Sequence, residues 1–403
     1  MNYKIKLRVT ILLLFSIFFF LNIDKNNVNL DNQTKYSFEL KKSQDHPTIE
    51  ITGENWTNAF LLGICTGNGI ESDPYIIQDY EIDGNNASNC IKISNSSVYF
   101  TIENCKLYNI GPLTSDHAGI KLVNVSNGIL RNNTINGGGI GDYGIFLSQD
   151  CANNVIDNNN ITNFTDGIHL LDNCTFNSIQ QNTVENCSSA GIYSLGATTR
   201  YNNNNSFIGN FVLNSGFGIY CYRASSCNIE DNVIKNSTNS GIRLDRAEYG
   251  DIINNTAIEN GYAGILVLSY SESHNIKENN ASSNEIGISI YSGYNNITKN
   301  IIFNNSYNGI RLDRISTSCV WNYIYKNALI NNSINAFQAA NAVNNHWNTS
   351  RFGNYWSHYN GTDGDGDGIG DILLNITERE EAADFMPIVG VFFHNGSAIA
   401  IDG

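Results

Sequence analysis

The sequence predicts an all-β fold, a right-handed parallel β-helix (a solenoid) of about eleven coils that ends in a small C-terminal cap. The first observation is a Gly-Ile pair that recurs every 22 to 27 residues, at Gly119, Gly144, Gly167, Gly191, Gly218, Gly241, Gly264, Gly287 and Gly309. The second is an Ile-x-x-Asn-x-apolar pattern in phase with it, at residues 156–161, 179–184, 229–234, 252–257, 276–281, 297–302 and 324–329. A repeat of this length is typical of a solenoid, in which each copy buries its apolar face against the next.

The apolar residues alternate within each repeat, as Ile242 and Leu244 do after Gly241. Short period-two segments between Asn, Gly and Ser predict short strands joined by tight turns. Leucine-rich repeats have a similar period and also contain Asn, but they fill the remainder with a helix or an extended segment dominated by Leu. Here the remainder is Asn-rich and β-branched without a helical stripe, so we predict one repeat per coil with about three strands, wound to the right as parallel crossovers nearly always are.

One asparagine recurs at the same place in nearly every repeat, at Asn133, Asn159, Asn182, Asn210, Asn232, Asn255, Asn279, Asn300 and Asn327. We expect these side chains to stack at one corner of the solenoid, where each amide bonds to the copies above and below. That role is structural, and it places none of them in an active site.

The chain divides into four predicted parts: a signal peptide or anchor (1–23), a polar tether (24–45), the β-helix (46–345, its first strand near residues 76–82) and a Trp/Tyr-rich and Asp-rich cap (346–403). The N-terminus has basic residues at 4, 6 and 8 and then an apolar run shorter than a membrane span. Residues 21–23 offer no small-residue cleavage site, so an uncleaved anchor is the alternative. Both versions predict a secreted or cell-surface protein.

Charge excludes two classes of partner. The chain has 23 basic and 38 acidic residues, a formal net charge of -15, which repels nucleic acid and anionic membranes. We therefore expect no nucleic-acid partner, and membrane contact only through an uncleaved N-terminal segment.

Export permits disulfides and glycosylation. Of nine cysteines, Cys151 and Cys174 lie one repeat apart and Cys221 and Cys227 flank a short turn, so each couple is a candidate disulfide. The alternative is that the cysteines are buried small apolar residues. Glycosylation sequons occur at Asn55, Asn163, Asn173, Asn296 and Asn348, among others.

Three segments carry a resemblance to a known family: Ser-Asp-Pro-Tyr-Ile-Ile at 72–77, Gly-Asn-Tyr-Trp-Ser-x-Tyr at 353–359, and the Asp-Gly run at 363–371. Together with the repeats they resemble the right-handed β-helix proteins of the carbohydrate-binding and sugar hydrolase (CASH) type, and among these the NosD-like proteins. The family usually continues the Asp run with Thr-Pro-Tyr, where this chain has Ile-Leu-Leu at 372–374. The copper handling associated with the NosD name finds little support, because Met386 is the only methionine after the predicted signal and the histidines are scattered.

The resemblance implies a link to carbohydrate chemistry. Lyases of this fold remove a proton next to a uronate carboxylate with Ca²⁺ and a basic side chain, and hydrolases need two carboxyl groups facing one bond. The residues close enough in the predicted stack to be considered catalytic are Asp142, Asp166, His169 and Asp172. No motif specific to either class is present.

The Asp-Gly run predicts a calcium site. Positions 1, 3, 5 and 9 of an EF-hand-like loop, with a backbone carbonyl at position 7, fall on Asp363, Asp365, Asp367, Asp371 and the carbonyl of Ile369. Leu374 stands where the bidentate acid should be, so we expect modest affinity and a structural role for Ca²⁺. The alternative is a flexible acidic loop.

A strip of outward-pointing side chains on three adjacent coils is the candidate binding surface. We call these residues the strip: Tyr193, Tyr220, Tyr222, Arg223, Arg243, Asp245 and Arg246. Aromatic faces stack on sugar rings, and Arg and Asp hydrogen-bond hydroxyls or carboxylates. The alternative is ordinary cross-strand pairing on a solvated sheet.

The sequence therefore predicts an exported β-helix protein that acts at the cell surface as a carbohydrate-binding or scaffold module, with a polysaccharide or surface glycan as partner. The alternatives are a polysaccharide lyase or glycoside hydrolase, and a purely structural surface or adhesion rod.

Overall fold

A computed structural model of the protein describes residues 43–112, 116–313, 319–376, 382–394 and 397–400. The predicted signal or anchor (1–23) and the tether up to residue 42 lie outside the described residues. The chain divides into Met1–Lys41 and Lys42–Gly403, and everything described belongs to the second unit. Within the described ranges no helix has the length and apolar character needed to cross a membrane.

Each coil contributes three short strands, numbered here β1 to β38 in chain order. The first face is an eleven-stranded parallel sheet made of β3 (Tyr75–Gln78), β6 (Phe100–Glu103), β9 (Gly128–Arg131), β11 (Val155–Asp157), β13 (Ser178–Gln180), β16 (Ser206–Ile208), β19 (Asn228–Glu230), β22 (Asp251–Ile253), β25 (Asn275–Lys277), β28 (Asn296–Thr298) and β31 (Tyr323–Tyr325). Eleven stacked strands confirm the predicted solenoid of about eleven coils, which rises ~4.8 Å per coil.

The other two faces belong to one 23-stranded sheet. The second face holds the strands at the Gly-Ile pairs and their equivalents: β2 (Ile49–Thr52), β5 (Ile91–Ser96), β8 (Ala118–Val125), β10 (Thr134–Ser148), β12 (Asn160–Leu171), β15 (Ala190–Leu195), β18 (Phe217–Tyr222), β21 (Ile242–Asp245), β24 (Ala263–Val267), β27 (Ile286–Ile290), β30 (Asn308–Leu312) and β33 (Ile334–Gln338). The third face holds the remaining strands: β1 (Gln44–Asp45), β4 (Tyr80–Asp83), β7 (Lys106–Tyr108), β14 (Thr183–Glu185), β17 (Phe211–Leu213), β20 (Val233–Lys235), β23 (Thr256–Ile258), β26 (Asn280–Ser282), β29 (Ile301–Phe303), β32 (Ala328–Ile330) and β34 (Tyr355–Trp356). The long strands β10 and β12 pair on both faces and join them.

The core consists of columns of identical or similar apolar side chains. Ile192, Ile219, Ile242 and Ile265 lie in register on four successive coils, and each is fully buried. Burying one such side chain contributes roughly 2–3 kcal/mol. Along each strand these buried residues alternate with more exposed ones, as Arg243 does between Ile242 and Leu244. This confirms the alternation predicted from the sequence.

The recurring asparagines form the predicted ladder. The Nδ2 of Asn255 donates to the Oδ1 of Asn279 at 3.0 Å, while its own Oδ1 accepts from the backbone N–H of Asn232 at 3.0 Å. The same pair of bonds repeats along the column from Asn133 to Asn354. At Asn354 the column ends on the buried carboxylate of Asp384, which accepts the Asn354 backbone N–H at 2.7 Å.

The N-terminal part differs from the expectation. Residues 76–82, where we placed the first strand, belong to β3 and β4, because β1 and β2 precede them. A helix that the sequence reading missed, α1 (Trp56–Leu61), follows β2. It places Trp56 against Tyr75 and Phe100, with the indole N–H bonded to Ser96.

The C-terminal cap packs Trp347 and Trp356 beside the last coil and continues into two antiparallel pairs, β35 (Leu374–Asn375) with β36 (Ala383–Asp384) and β37 (Val391–His394) with β38 (Ser397–Ala400).

All nine cysteines are buried and carry free thiols. The thiols of Cys151 and Cys174 are hydrogen-bonded neighbours on adjacent coils, and those of Cys221 and Cys227 are neighbours within one coil. The two candidate pairs therefore lie side by side without a disulfide bond in this structure, and the disulfides stay a prediction.

Candidate functional site

The strip lies on the second face, where its residues occupy equivalent positions on adjacent coils. In β12, β15, β18 and β21 the first outward position holds His169, Tyr193, Tyr220 and Arg243, all in register. Tyr222 and Asp245 are partners at the next outward position. Arg223 and Arg246 follow at the corner, with φ of 50° and 54°. The structure thus brings the seven predicted strip residues onto one surface.

Aromatic and guanidinium groups stack along the strip. The rings of Tyr193 and Tyr220 lie 4.7 Å apart and 7° from parallel. The guanidinium of Arg243 continues the stack, 4.7 Å from the Tyr220 ring and 5.0 Å from that of Phe217. Such cation–π contacts hold an arginine flat against a ring without using its hydrogen-bond donors.

Two of the three arginines of the strip have a guanidinium N–H without an acceptor in the described part of the chain. The Nε atoms of Arg223 and Arg243 are buried and find no hydrogen-bond acceptor among the described residues. Arg243 reaches Asp245 only at 3.5 Å, and Arg223 donates through Nη1 to Thr198. A guanidinium fork with free donors beside an aromatic face matches the hydroxyl and ring surfaces of a sugar.

Partial burial sets the protonation of the tyrosines. Desolvation raises the pKa of Tyr220 to about 12, and it raises the pKa of Tyr193 further. Both phenols stay neutral and keep an O–H donor across the physiological pH range.

A glycine bend brings Asp166 and His169 together. A Cβ on Gly167 would lie 2.2 Å from Val184 Cγ1, so position 167 faces the core. The next residue, Ile168, also faces the core, and this break in alternation turns Asp166 to the same side as His169. His169 Nδ1 lies 2.8 Å from Asp166 Oδ2, and Asp166 Oδ1 accepts the backbone N–H of Ala190. Both side chains are almost fully buried. The second ring nitrogen, His169 Nε2, is buried without a partner among the described residues.

Aromatic rings surround this pair. Tyr143, Phe146 and Tyr193 lie 4.9, 5.5 and 4.9 Å from the imidazole between ring centroids. The geometry is that of a carboxylate-oriented imidazole, a group that can accept or donate a proton at Nε2.

The other two catalytic candidates lie in different surroundings. Asp172 follows the C-terminal end of β12, at the corner of the coil, where it is paired with Arg200 at 3.2 Å. Asp142 contacts the backbone of His117, and burial raises the pKa of its carboxyl. The described contacts therefore join Asp166 to His169 and join neither of these aspartates to that pair.

The strip ends abruptly on the coil after Arg243. Leu266 occupies the equivalent outward position, yet it is only 4% exposed. It packs with Ile286 and Tyr291, and Tyr262 covers the group. Strict alternation along the strand predicts that this position faces solvent, but a second, small apolar cluster on the outside of the sheet closes it.

The acidic loop of the cap could hold a metal ion. Oxygens of Asp363, Asp365 and Asp367 lie within 4.8 Å of one another. Asp363 also accepts backbone N–H groups from Gly366 and Gly368, whose φ of 77° and 84° form the tight turn. Asp371 bonds the Gly364 N–H and stands outside the group of three. Asp384, a further carboxylate of the cap, instead accepts the N–H groups of Asn354 and Trp356 at the end of the asparagine ladder.

The cap loop offers hard oxygen ligands only, whereas copper favours imidazole, thiolate and thioether ligands. In the part of the chain that the structure describes, this acidic loop is the only group of three or more His, Cys, Asp or Glu side chains with ligating geometry. The described residues therefore do not fit a copper centre.

The stacked coils, the three faces and the asparagine ladder define a parallel β-helix protein, and comparison with known families makes this specific. The family model described as "Right handed beta helix region" matches residues 20–217. The one described as "Periplasmic copper-binding protein (NosD)" matches residues 194–361. The chain is therefore a parallel β-solenoid whose N-terminal part is similar to the first family model and whose C-terminal part is similar to the second. No curated protein sequence gives a significant match.

Solved structures share the fold at low identity. The chain is similar to the A-module of mannuronan C-5 epimerase AlgE6 from Azotobacter vinelandii (14% identity, 67% of this chain, 71% of that chain, TM-score 0.48). It is also similar to the catalytic domain of a GH87 alpha-1,3-glucanase in complex with tetrasaccharides (15%, 83%, 71%, 0.43). It spans 58% of the Dettilon tailspike protein (14% identity, 67% of this chain, TM-score 0.43). At these values the likenesses carry no argument about function.

Proposed function

We propose that this is an exported β-helix protein that binds a polysaccharide or surface glycan through the strip. The observation that carries the proposal is the continuous stack of Tyr193, Tyr220 and Arg243 on adjacent coils, beside guanidinium donors without acceptors. Purely structural cross-strand pairing would be expected to use those donors, because an unpaired buried N–H is unfavourable. A hydroxylated ligand would bind the partly exposed remainder of these guanidinium groups and the neighbouring ring faces.

Export is supported by the basic and apolar N-terminal sequence and by the description of the NosD family as periplasmic. Within this proposal, residues 1–23 direct export and either leave as a signal peptide or remain as an anchor. The sequons permit glycosylation if the host cell performs it.

Glycan-array binding with the wild type and with Tyr220→Ala and Tyr222→Ala tests the site. We expect each substitution to weaken binding about tenfold or more, because stacking and its desolvated surroundings concentrate the binding energy in a few rings. Tyr325→Ala is the matched control, since Tyr325 is a half-buried tyrosine on the first face. Binding that survives both strip substitutions unchanged would reject this location.

A second candidate function, polysaccharide lyase or hydrolase, is favoured by the Asp166–His169 pair. His169 Nε2 has no partner among the described residues but is buried between Phe146 and Tyr193, so these rings would have to move aside before a bound uronate sugar could lose its C5 proton to it while the C4 leaving group departs. The Asp166 carboxylate would hold the imidazole orientation and stabilise its charged form. A hydrolytic route would need a second carboxyl, and the described contacts bring none to this pair.

Incubation with polygalacturonate, alginate and neutral glycans, with and without Ca²⁺, tests this candidate. A lyase would release unsaturated, ultraviolet-absorbing ends, and His169→Gln would abolish their release without reducing glycan binding more than about twofold. Absence of product on every substrate would leave the binding function or, if binding is also absent, a purely structural surface rod.

We also propose that the metal of the cap is Ca²⁺ in a structural role, held by Asp363, Asp365, Asp367, the Ile369 carbonyl and Asp371. Oxygen donors at this spacing suit Ca²⁺, and the missing acid at Leu374 predicts weak binding. We expect Ca²⁺ to raise Tm and chelator to reverse the rise, with no response in Asp365→Asn/Asp367→Asn. A wild-type Tm indifferent to both reagents would exclude the ion.

A further inference from the structure

A second set of aromatic rings lies at the corner of the solenoid that follows the strip. We call these residues the aromatic edge: Tyr249, Tyr270, Tyr294 and Trp321. Their side chains are 65%, 51%, 54% and 42% exposed, on four successive coils. Backbone bonds place Tyr249, Tyr294 and Trp321 in one column, with Ser273 between the first two. Tyr249 N–H donates to the Glu272 carbonyl, Ser273 N–H to the Gly293 carbonyl and Tyr294 N–H to the Val320 carbonyl. Tyr270 lies three residues before Ser273 on the same coil.

The fold itself does not require aromatic residues there. All four have left-handed backbones, with φ between 56° and 62°. Bulky side chains are disfavoured in that region and asparagine is favoured. The same column holds Asn153 and Asn204 on earlier coils, both with φ of 56°. Asparagine would therefore serve the turn better. The described ring contacts of the edge are those of Tyr270 with Arg246 and of Trp321 with His346, and neither needs a left-handed aromatic residue to build the coil.

The aromatic edge begins where the strip ends. Leu266 and its cluster close the second face on the coil after Arg243. On that coil the exposed ring is Tyr270, at the corner. The guanidinium of Arg246 lies 5.8 Å from the Tyr222 ring and 5.9 Å from the Tyr270 ring, so it bridges the two surfaces.

We infer that the strip and the aromatic edge form one continuous track for a long, linear, neutral polysaccharide that runs along the solenoid axis. This inference rests on the proposed glycan-binding function. From Tyr193 to Trp321 the track spans five coil steps, about 24 Å at ~4.8 Å each. That repeat is close to the length of one sugar unit in an extended chain, so the track accommodates about six units.

The strip carries three arginines and one aspartate, so it is the acidic surroundings of the aromatic edge that favour a neutral over an anionic chain. Glu248 and Glu272 neighbour Tyr249, one just before it and the other through the backbone bond, and the whole chain carries -15. A polyanion would meet repulsion on the edge, whereas a neutral glycan would not. The same charge opposes the pairing of this edge with a second copy of the chain.

Titration with neutral gluco-oligosaccharides of β-1,4, β-1,3 and α-1,4 linkage, from disaccharide to octasaccharide, tests the inference. We expect the affinity for at least one series to rise with length up to about six units and to gain about tenfold over the trisaccharide. Tyr249→Asn/Tyr294→Asn should remove that gain and leave trisaccharide affinity unchanged. Its Tm should stay equal or rise, because asparagine fits the left-handed turn.

Phe211→Thr is the control, since Phe211 is 40% exposed on the third face and its register partner on the preceding coil is Thr183. Affinity that does not grow with length, or a gain that survives the edge substitutions, would overturn the track while the strip still binds. A change of oligomeric state on edge substitution, without a change in glycan affinity, would overturn it as well. No binding at any length would overturn the proposed function and the track together.

Discussion

The asparagine corner and the strip are built in the same way, from one position repeated on every coil, but they differ in what varies. At the corner the residue stays asparagine from Asn133 to Asn354, and every amide bonds to the next. On the strip the residue changes at each coil, from His169 through Tyr193 and Tyr220 to Arg243. We therefore infer that a residue constant along a column serves folding, and we propose that a varied column with unpaired donors serves ligand recognition.

The largest effect expected is on the corner. Asn255→Ala removes a buried amide and leaves the Asn232 N–H and the Ile229 carbonyl without partners. We expect a loss of roughly 3–5 kcal/mol in unfolding free energy, measured by urea denaturation. Asn254→Gly is the control: Asn254 is an exposed neighbour with φ of 53°, which glycine accepts, so the change should be about 1 kcal/mol or less. Equal losses in the two variants would contradict the distinction.

The end of the ladder should respond next. Asp384 accepts the Asn354 N–H at 2.7 Å and the Trp356 indole N–H at 2.8 Å in a fully buried position. Asp384→Ala leaves both donors unpaired, and we expect it to lower the unfolding free energy by roughly 2–4 kcal/mol. If Asp384 were instead a calcium ligand, added Ca²⁺ would shift the wild-type Tm and fail to shift that of Asp384→Ala. We expect the same Ca²⁺ response in both.

The sequence predicts the constant columns of the fold well and the varied columns of the candidate site less well. The period gave the coils, and the constant asparagine gave the ladder, because both depend on local spacing alone. A second ladder, formed by Asn154, Asn177 and Asn205, is not apparent from the sequence. On later coils the same column holds Cys227, Gly250 and His274. Its composition is mixed, so no repeated letter marks it.

The candidate site was harder to predict because it depends on departures from the repeat. Strict alternation would place Asp166 and His169 on opposite sides of a strand, and the bend at Gly167 puts them in contact. Alternation likewise predicts that Leu266 is exposed, whereas in the structure it is buried in a cluster with Tyr291. Both depend on neighbours from other coils, which a single-sequence period does not describe.

On the strip, a substitution should affect binding and leave folding nearly unchanged. Arg243→Ala removes the guanidinium from the Tyr220 and Phe217 rings, and we expect a tenfold loss of glycan affinity, about 1.4 kcal/mol, with stability altered by less than about 1 kcal/mol. Arg243→Lys keeps the charge but not the planar fork, so it should restore only part of the affinity. A stability loss as large as that of Asn255→Ala would place Arg243 with the folding residues.

The smallest effect expected concerns His274, which stands in the second ladder where Asn295 stands one coil later. It is buried and neutral, with Nδ1 accepting the Gly250 N–H at 3.0 Å and Nε2 donating to the Ala247 carbonyl at 2.7 Å. Desolvation lowers its pKa below the ordinary value of 6.5. As the pH falls through 6.5, the unfolded chain takes up a proton that the folded chain refuses, so stability falls.

His274→Asn removes this titration and puts the ladder's usual amide in its place. Between pH 7.5 and 5.5 the wild type should lose about 1 kcal/mol more than the variant, measured by urea denaturation at each pH. Parallel pH profiles would mean that His274 can be protonated in the folded state. The column would then tolerate a charge, and the interpretation that a fully bonded column only builds the fold would fail at this coil.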